Sequence, residues 1–124
     1  MNMEEKLRAN AELVRKVAED ELEVTVDYDK DGVAWLDEYI DEQREIAEDD
    51  IKNRLPNTLG SFLGECIRHS FGGEWVHDPE AGWAVKISDK LSAYPFNKVR
   101  KQLNSADGES VLSFFKTIPA LLRR

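Results

Sequence analysis

The stretch from Leu59 to Trp75, LGSFLGECIRHSFGGEW, gathers the residue types that can do chemistry. It holds the single cysteine, Cys66, one of the two histidines, His69, and a glutamate, Glu65, beside the cysteine; His77 and Asp78 follow. A thiol three residues before an imidazole is, in outline, a nucleophile with its base. Glu65 and His69 at i and i+4 share one flank of a helix, and with His77 and Asp78 they are donor types that zinc accepts. The helical wheel weakens each of these readings. Leu59, Phe62, Leu63, Cys66 and Ile67 form one apolar arc, with Cys66 well inside it. There a cysteine acts as a small hydrophobe whose thiol pKa rises, whereas a nucleophile needs a thiolate stabilised by a cation or a helix N-terminus. Mid-helix amides are already committed to the i−4 carbonyls and cannot hold an oxyanion. Neither HExxH nor CxxC occurs, and GGEW leads into a strand rather than a helix N-terminus, so it lacks the dipole of a phosphate loop. We therefore expect Cys66 to be core and the chain to need no cofactor and no metal.

Gly60 and Gly64 raise a separate question. A mid-helix glycine costs about 1 kcal/mol relative to alanine, so two in one turn ask for a reason. Four residues apart, they make a flat strip along the arc, where another backbone, from the acidic helix or the hairpin, can approach.

The elements that must position these residues follow from periodicity. Leu7, Ala11, Val14 and Ala18 predict a helix over residues 3–21. LEVTVDYD then alternates, Leu22, Val24, Val26 and Tyr28 against Glu23, Thr25 and Asp27, as a half-buried extended segment does. Asp29 or Asp31 caps a second helix with the stripe Val33, Leu36, Ile40 and Ala47, interrupted by Gln43; its other face carries Asp37, Glu38, Asp41, Glu42 and Glu45. Pro56 predicts a break or kink, then a helix from about Asn57 to Phe71 closed by Gly72 and Gly73. Two β-rich runs flank DPEAG as a hairpin, and KLSAYPF adds a third strand. A short helix from Pro95 to about Leu103 and a last one capped by Ser110, with Val111, Phe114, Phe115 and Ile118 inward, complete the chain. The expected class is α+β: one domain over residues 1–124, with several helices on a small antiparallel sheet of about three strands.

Composition bounds the function. The chain has 124 residues, 41% apolar and 34% charged, enough for one unstapled core. It has no apolar run near the roughly 20 residues that cross a bilayer, and its start, MNMEEKLRAN, lacks the features of a signal peptide. A lone cysteine suits a reducing cytoplasm. The net charge of −8 is uneven: residues 1–50 hold 18 acids and 6 bases, a net −12, and residues 51–124 hold 7 acids and 11 bases, a net +4. With KVRK the main basic cluster, nucleic acid is excluded as a partner. We expect a non-enzymatic interaction or regulatory module, immunity- or antitoxin-like as one version, whose acidic face at Asp37, Asp41 and Glu45 steers a protein with a basic surface. The competing expectation is a small-molecule binding domain or minor hydrolase with a pocket at Glu65, His69 and Trp75, where Glu65 or His69 would be the base.

WLDEYIDEQRE, NTLGSFLGECI, FGGEW, YPFNKVRKQL and SVLSFFKTIPAL together resemble a small uncharacterised bacterial domain family with LGxFLGE, GGxW and PFxKV motifs. The resemblance covers residues 30–122 and rests on Leu59–Gly60, Leu63–Gly64–Glu65, Gly72–Gly73, Trp75 and Pro95–Phe96. These are packing and turn residues, so it implies a fold and no catalytic residue, cofactor or substrate.

Overall fold

Helix α1 spans Met3–Leu22 and buries Leu7, Ala11, Val14 and Ala18, the face its spacing predicts. Asn2 opens it by accepting the Glu5 N–H at 2.9 Å. The computed structural model describes residues 2–124. After α1 the alternating segment takes no regular structure and joins no sheet: Leu22 ends the helix and Glu23 turns left-handed at φ 56°, while Val26 is buried and Val24 and Tyr28 pack on the core. A side chain takes the place of a partner strand: Arg15 donates from Nε to the Val26 carbonyl at 2.9 Å and from Nη2 to Asp27 at 2.8 Å.

Asp29 caps α2, Lys30–Ile46, by accepting from the Gly32 N–H at 2.8 Å. Val33, Leu36 and Ile40 point inward, as the stripe requires. The next helix departs from expectation. Helix α3 begins at Asp49, not near Asn57, and runs through Pro56 to Phe71 without interruption. Proline removes only the bond to the Lys52 carbonyl, at a local cost of about 3 kcal/mol. Burial outweighs that: Pro56 is itself buried, and every residue from Leu59 to Ile67 is buried behind it. Gly72 ends α3 at φ 81°, a left-handed conformation that suits a residue without Cβ.

Strands β1, Glu74–Asp78, and β2, Gly82–Ser88, form the expected hairpin, pairing Trp75 with Val85 and His77 with Trp83. Asp78 shapes the turn, its carboxylate accepting from the Glu80 and Ala81 N–H groups, which hold its pKa below the usual value. Strand β3, Leu91–Ala93, adds antiparallel to β2 in the order β1-β2-β3. Pro95 starts α4, Pro95–Asn104, and Ser110 caps α5, Val111–Leu122, which buries Val111, Phe114, Phe115 and Ile118. The result is a single α+β domain of five helices and one three-stranded sheet, with α3 at its centre and packed on α1, α2, α4 and β2. Among the described residues no helix is long and apolar enough to cross a membrane.

The glycine strip exists, but its occupants are aromatic rings rather than a backbone. Trp75 of β1 lies against Gly64, and Phe96 of α4 against Gly60. A glycine surface suits a flat ring for the same reason it suits a main chain, because no Cβ holds the neighbour away. Alanine at Gly64 would gain about 1 kcal/mol of helix propensity but drive a methyl into the buried indole, an overpacking of about 1–3 kcal/mol. Gly64→Ala should therefore lower the melting temperature. Gly60→Ala should lower it less, because Phe96 is only half-buried and can swing aside. Thermal unfolding of the two variants tests both, and a rise at Gly64 would mean that the indole does not sit there.

Candidate functional site

Glu65, His69 and Trp75 do come together, on α3 and β1. Glu65, 3% exposed, holds two donors on one oxygen: the Trp75 Nε1–H at 2.9 Å and Arg68 Nη1 at 2.7 Å. Its other oxygen lies 3.7 Å from His69 Nε2, too far for a hydrogen bond. Trp75 is core. His69 is half-exposed and packs on the Tyr28 ring, with centroids 4.8 Å apart. The Tyr28 hydroxyl in turn donates to Glu12 at 2.6 Å, and Glu12 accepts from Arg15 at 2.7 Å.

This network holds elements together and offers little to a substrate. Glu65 is the acceptor that a buried indole N–H and a half-buried guanidinium require. Tyr28 keeps its proton, because burial and then the bond to Glu12 push its pKa well up. Burial, reinforced by Asp29, likewise raises the Cys66 thiol, the reverse of what a nucleophile needs. Among the described residues no three of His, Cys, Asp and Glu converge as a metal site would require. The surface grooves open elsewhere, two of them towards the ends of α1, and none of those described is lined by Glu65, His69 or Trp75.

The acidic stripe Asp37, Asp41 and Glu45 is drawn partly into the fold, although the Asp41 and Glu45 side chains remain 51% and 75% exposed. Gln102 of α4, 6% exposed, lies beneath it and donates towards Asp37 Oδ1 at 3.0 Å and Asp41 Oδ1 at 3.1 Å. The Gln102 side-chain oxygen accepts from the Val111 N–H at 2.8 Å, and Asp37 Oδ1 lies 3.4 Å from the Leu112 N–H. Both amides belong to the first turn of α5, where backbone donors lack intrahelical partners and negative charge is favoured. Arg44 spans the same seam, donating to the Gln102 carbonyl at 2.8 Å and to Asp41 at 3.0 Å, with Glu45 3.6 Å from its Nε. Asp37 and Asp41 pair inward, through Gln102 and Arg44. Sequence reading passed over Gln102, although it shares the inward face of α4 with Val99 and Leu103 at i−3 and i+1, an unusual place for an amide.

Two predictions follow from this geometry. Asp37→Ala should destabilise by about 1–2 kcal/mol, the scale of a lost charged hydrogen bond at a helix start, whereas Glu45→Gln should be nearly neutral. Equal costs in thermal unfolding would overturn the brace. Cys66 should label with a thiol reagent only as fast as the protein opens, and Cys66→Ala should cost about 1 kcal/mol. Rapid stoichiometric labelling of the native state would show a reactive thiol instead.

Compared with protein-family models, curated proteins and solved structures, the chain matches none.

Proposed function

We propose that this chain is a non-enzymatic protein-interaction module that seats a basic amphipathic segment of a partner protein in the apolar groove between α1, α2 and α3. The observation that carries the reading is an apolar groove with two unpaired acids, Glu21 and Glu42, near its Tyr39 wall. Trp35 and Tyr39 stack at 5.2 Å along α2, Leu55 lies beside them, and Leu13 and Leu22 of α1 remain 48% and 46% exposed on the same groove. Large side chains gathered in a water-exposed groove mark a docking site more often than chance exposure does. Glu21 and Glu42 lie near enough to act on the Tyr39 hydroxyl, whose pKa burial raises first and the negative charge of these two carboxylates raises further. Among the described residues neither Glu21 nor Glu42 forms an ion pair, and the same holds for Glu19, Glu23 and Glu38. An apolar slot with acids near one wall complements a helix with leucines on one face and lysines on its flanks.

The probe is a synthetic helix of about five turns with leucine at i, i+3, i+4 and i+7 and lysine elsewhere, followed through the Trp35 indole N–H by NMR. Binding should be saturable and should weaken as salt screens these acids. Leu13→Ser with Leu22→Ser should weaken it about tenfold, and Glu21→Gln with Glu42→Gln should reproduce the effect of salt at unchanged melting temperature. A peptide that binds equally well to both double variants places the site elsewhere. A peptide that does not bind at all removes the reading.

A further inference from the structure

A second groove lies at the other end of α1, where its first turns meet the hairpin turn, α3 and α4. We propose that it binds a small aromatic anion, a flat ring carrying a carboxylate or phosphate group, independently of any partner docked between α1 and α2. The groove has a volume of about 450 Å³, within the range that holds small ligands. Its lining carries two cations, Lys6 and Arg100, and no carboxylate, although the chain as a whole is at −8. Those cations are not neutralised locally. Arg8, Arg15 and Lys16 of α1 each face a carboxylate, whereas Lys6 forms no ion pair among the described residues. Arg100 donates to the neutral Asn97 Oδ1 at 2.7 Å, a contact that holds the guanidinium without cancelling its charge.

Two features make the groove selective rather than merely positive. Asn10 and Asn57 sit mid-helix, where asparagine is a poor helix former, and both line this groove. Among the described residues their side-chain amides have no hydrogen-bond partner, so each offers donors and an acceptor to a ligand. Trp83 supplies a half-buried aromatic wall, steadied by an edge contact with His77 at 5.3 Å, on which a flat ring can pack. Charge fixes the sign of the ligand, the amides orient its oxygens, and the indole favours a ring over an aliphatic chain.

The test uses the full chain and three probes that share a naphthalene ring: 2-naphthoate, 2-naphthyl phosphate and neutral 2-naphthamide. The Trp83 indole N–H and asparagine side-chain amides are followed by NMR, with Trp35 as the reporter of the other groove. At least one anion should shift the Trp83 signal saturably and leave Trp35 unmoved, and the tighter anion assigns the head group. The amide should bind at least tenfold more weakly. Lys6→Gln with Arg100→Gln should weaken anion binding at least tenfold without changing the melting temperature, since both side chains are exposed. No shift at Trp83 with either anion, equal binding of the amide, or unaltered binding by the double variant would each overturn the proposal; the comparison with the amide needs no variant.

Discussion

The indole of Trp75 rests on Gly64 and gives its N–H to the carboxylate of Glu65, so two adjacent residues of α3 seat the sheet on the helix. Neither half suffices alone. Without the glycine, a Cβ would occupy the space of the ring; without the glutamate, a buried indole N–H would go unpaired at a cost of about 1–3 kcal/mol. The buried carboxylate in turn needs cationic support, which Arg68 supplies one helical turn away. Once Trp75 is seated, its pairing with Val85 places Trp83 opposite His77, at the mouth of the cationic groove. On another side of α3, Phe62 packs against Tyr28 and Trp35, which ties the alternating segment and α2 to the same helix.

The excess of acid in the first half of the chain divides into two populations. Asp37 and Asp41 are consumed by the fold, held by Gln102 and Arg44 at the point where α5 begins with open backbone donors. Glu21 and Glu42 lie near Tyr39 of the apolar groove and form no ion pair among the described residues. Charges of the first kind hold the helices to one another, and charges of the second kind are those on which the proposed docking draws. A count of −12 over fifty residues conceals this division, because net charge carries no information about pairing.

The residues with the most obvious chemical potential are those the fold has made inert. Cys66 is sealed in the arc of α3, Tyr28 is held protonated, and Glu65 is engaged by Trp75 and Arg68. Two grooves, one towards each end of α1, are opposite in character. One is apolar and is the proposed seat of a protein segment; the other carries Lys6, Arg100 and side-chain amides and is the proposed seat of a small anion.

What the sequence determined by itself is local: which faces of α1, α2, α3 and α5 turn inward, the cap at Asp29, the glycine stop at Gly72, the hairpin across DPEAG, and the burial of Cys66. Each of these rests on side chains within a turn or two of one another, or on a backbone preference of a single residue, so a linear pattern records it. Tertiary structure decided the rest. Pro56 stays helical because the arc beyond it is buried so deeply, an energy that no window around the proline contains. The alternating segment around Val26 finds a guanidinium instead of a strand, and the glycine strip receives rings from β1 and α4 instead of a main chain. Gln102 was legible as an amide on an inward face, but its acceptors lie 61 and 65 residues away on α2. Both grooves are likewise assembled from elements distant in sequence, and the physical reason they could not be read is common to all these cases. Burial, pairing and surface charge depend on which elements become neighbours, and that is settled only when the core closes.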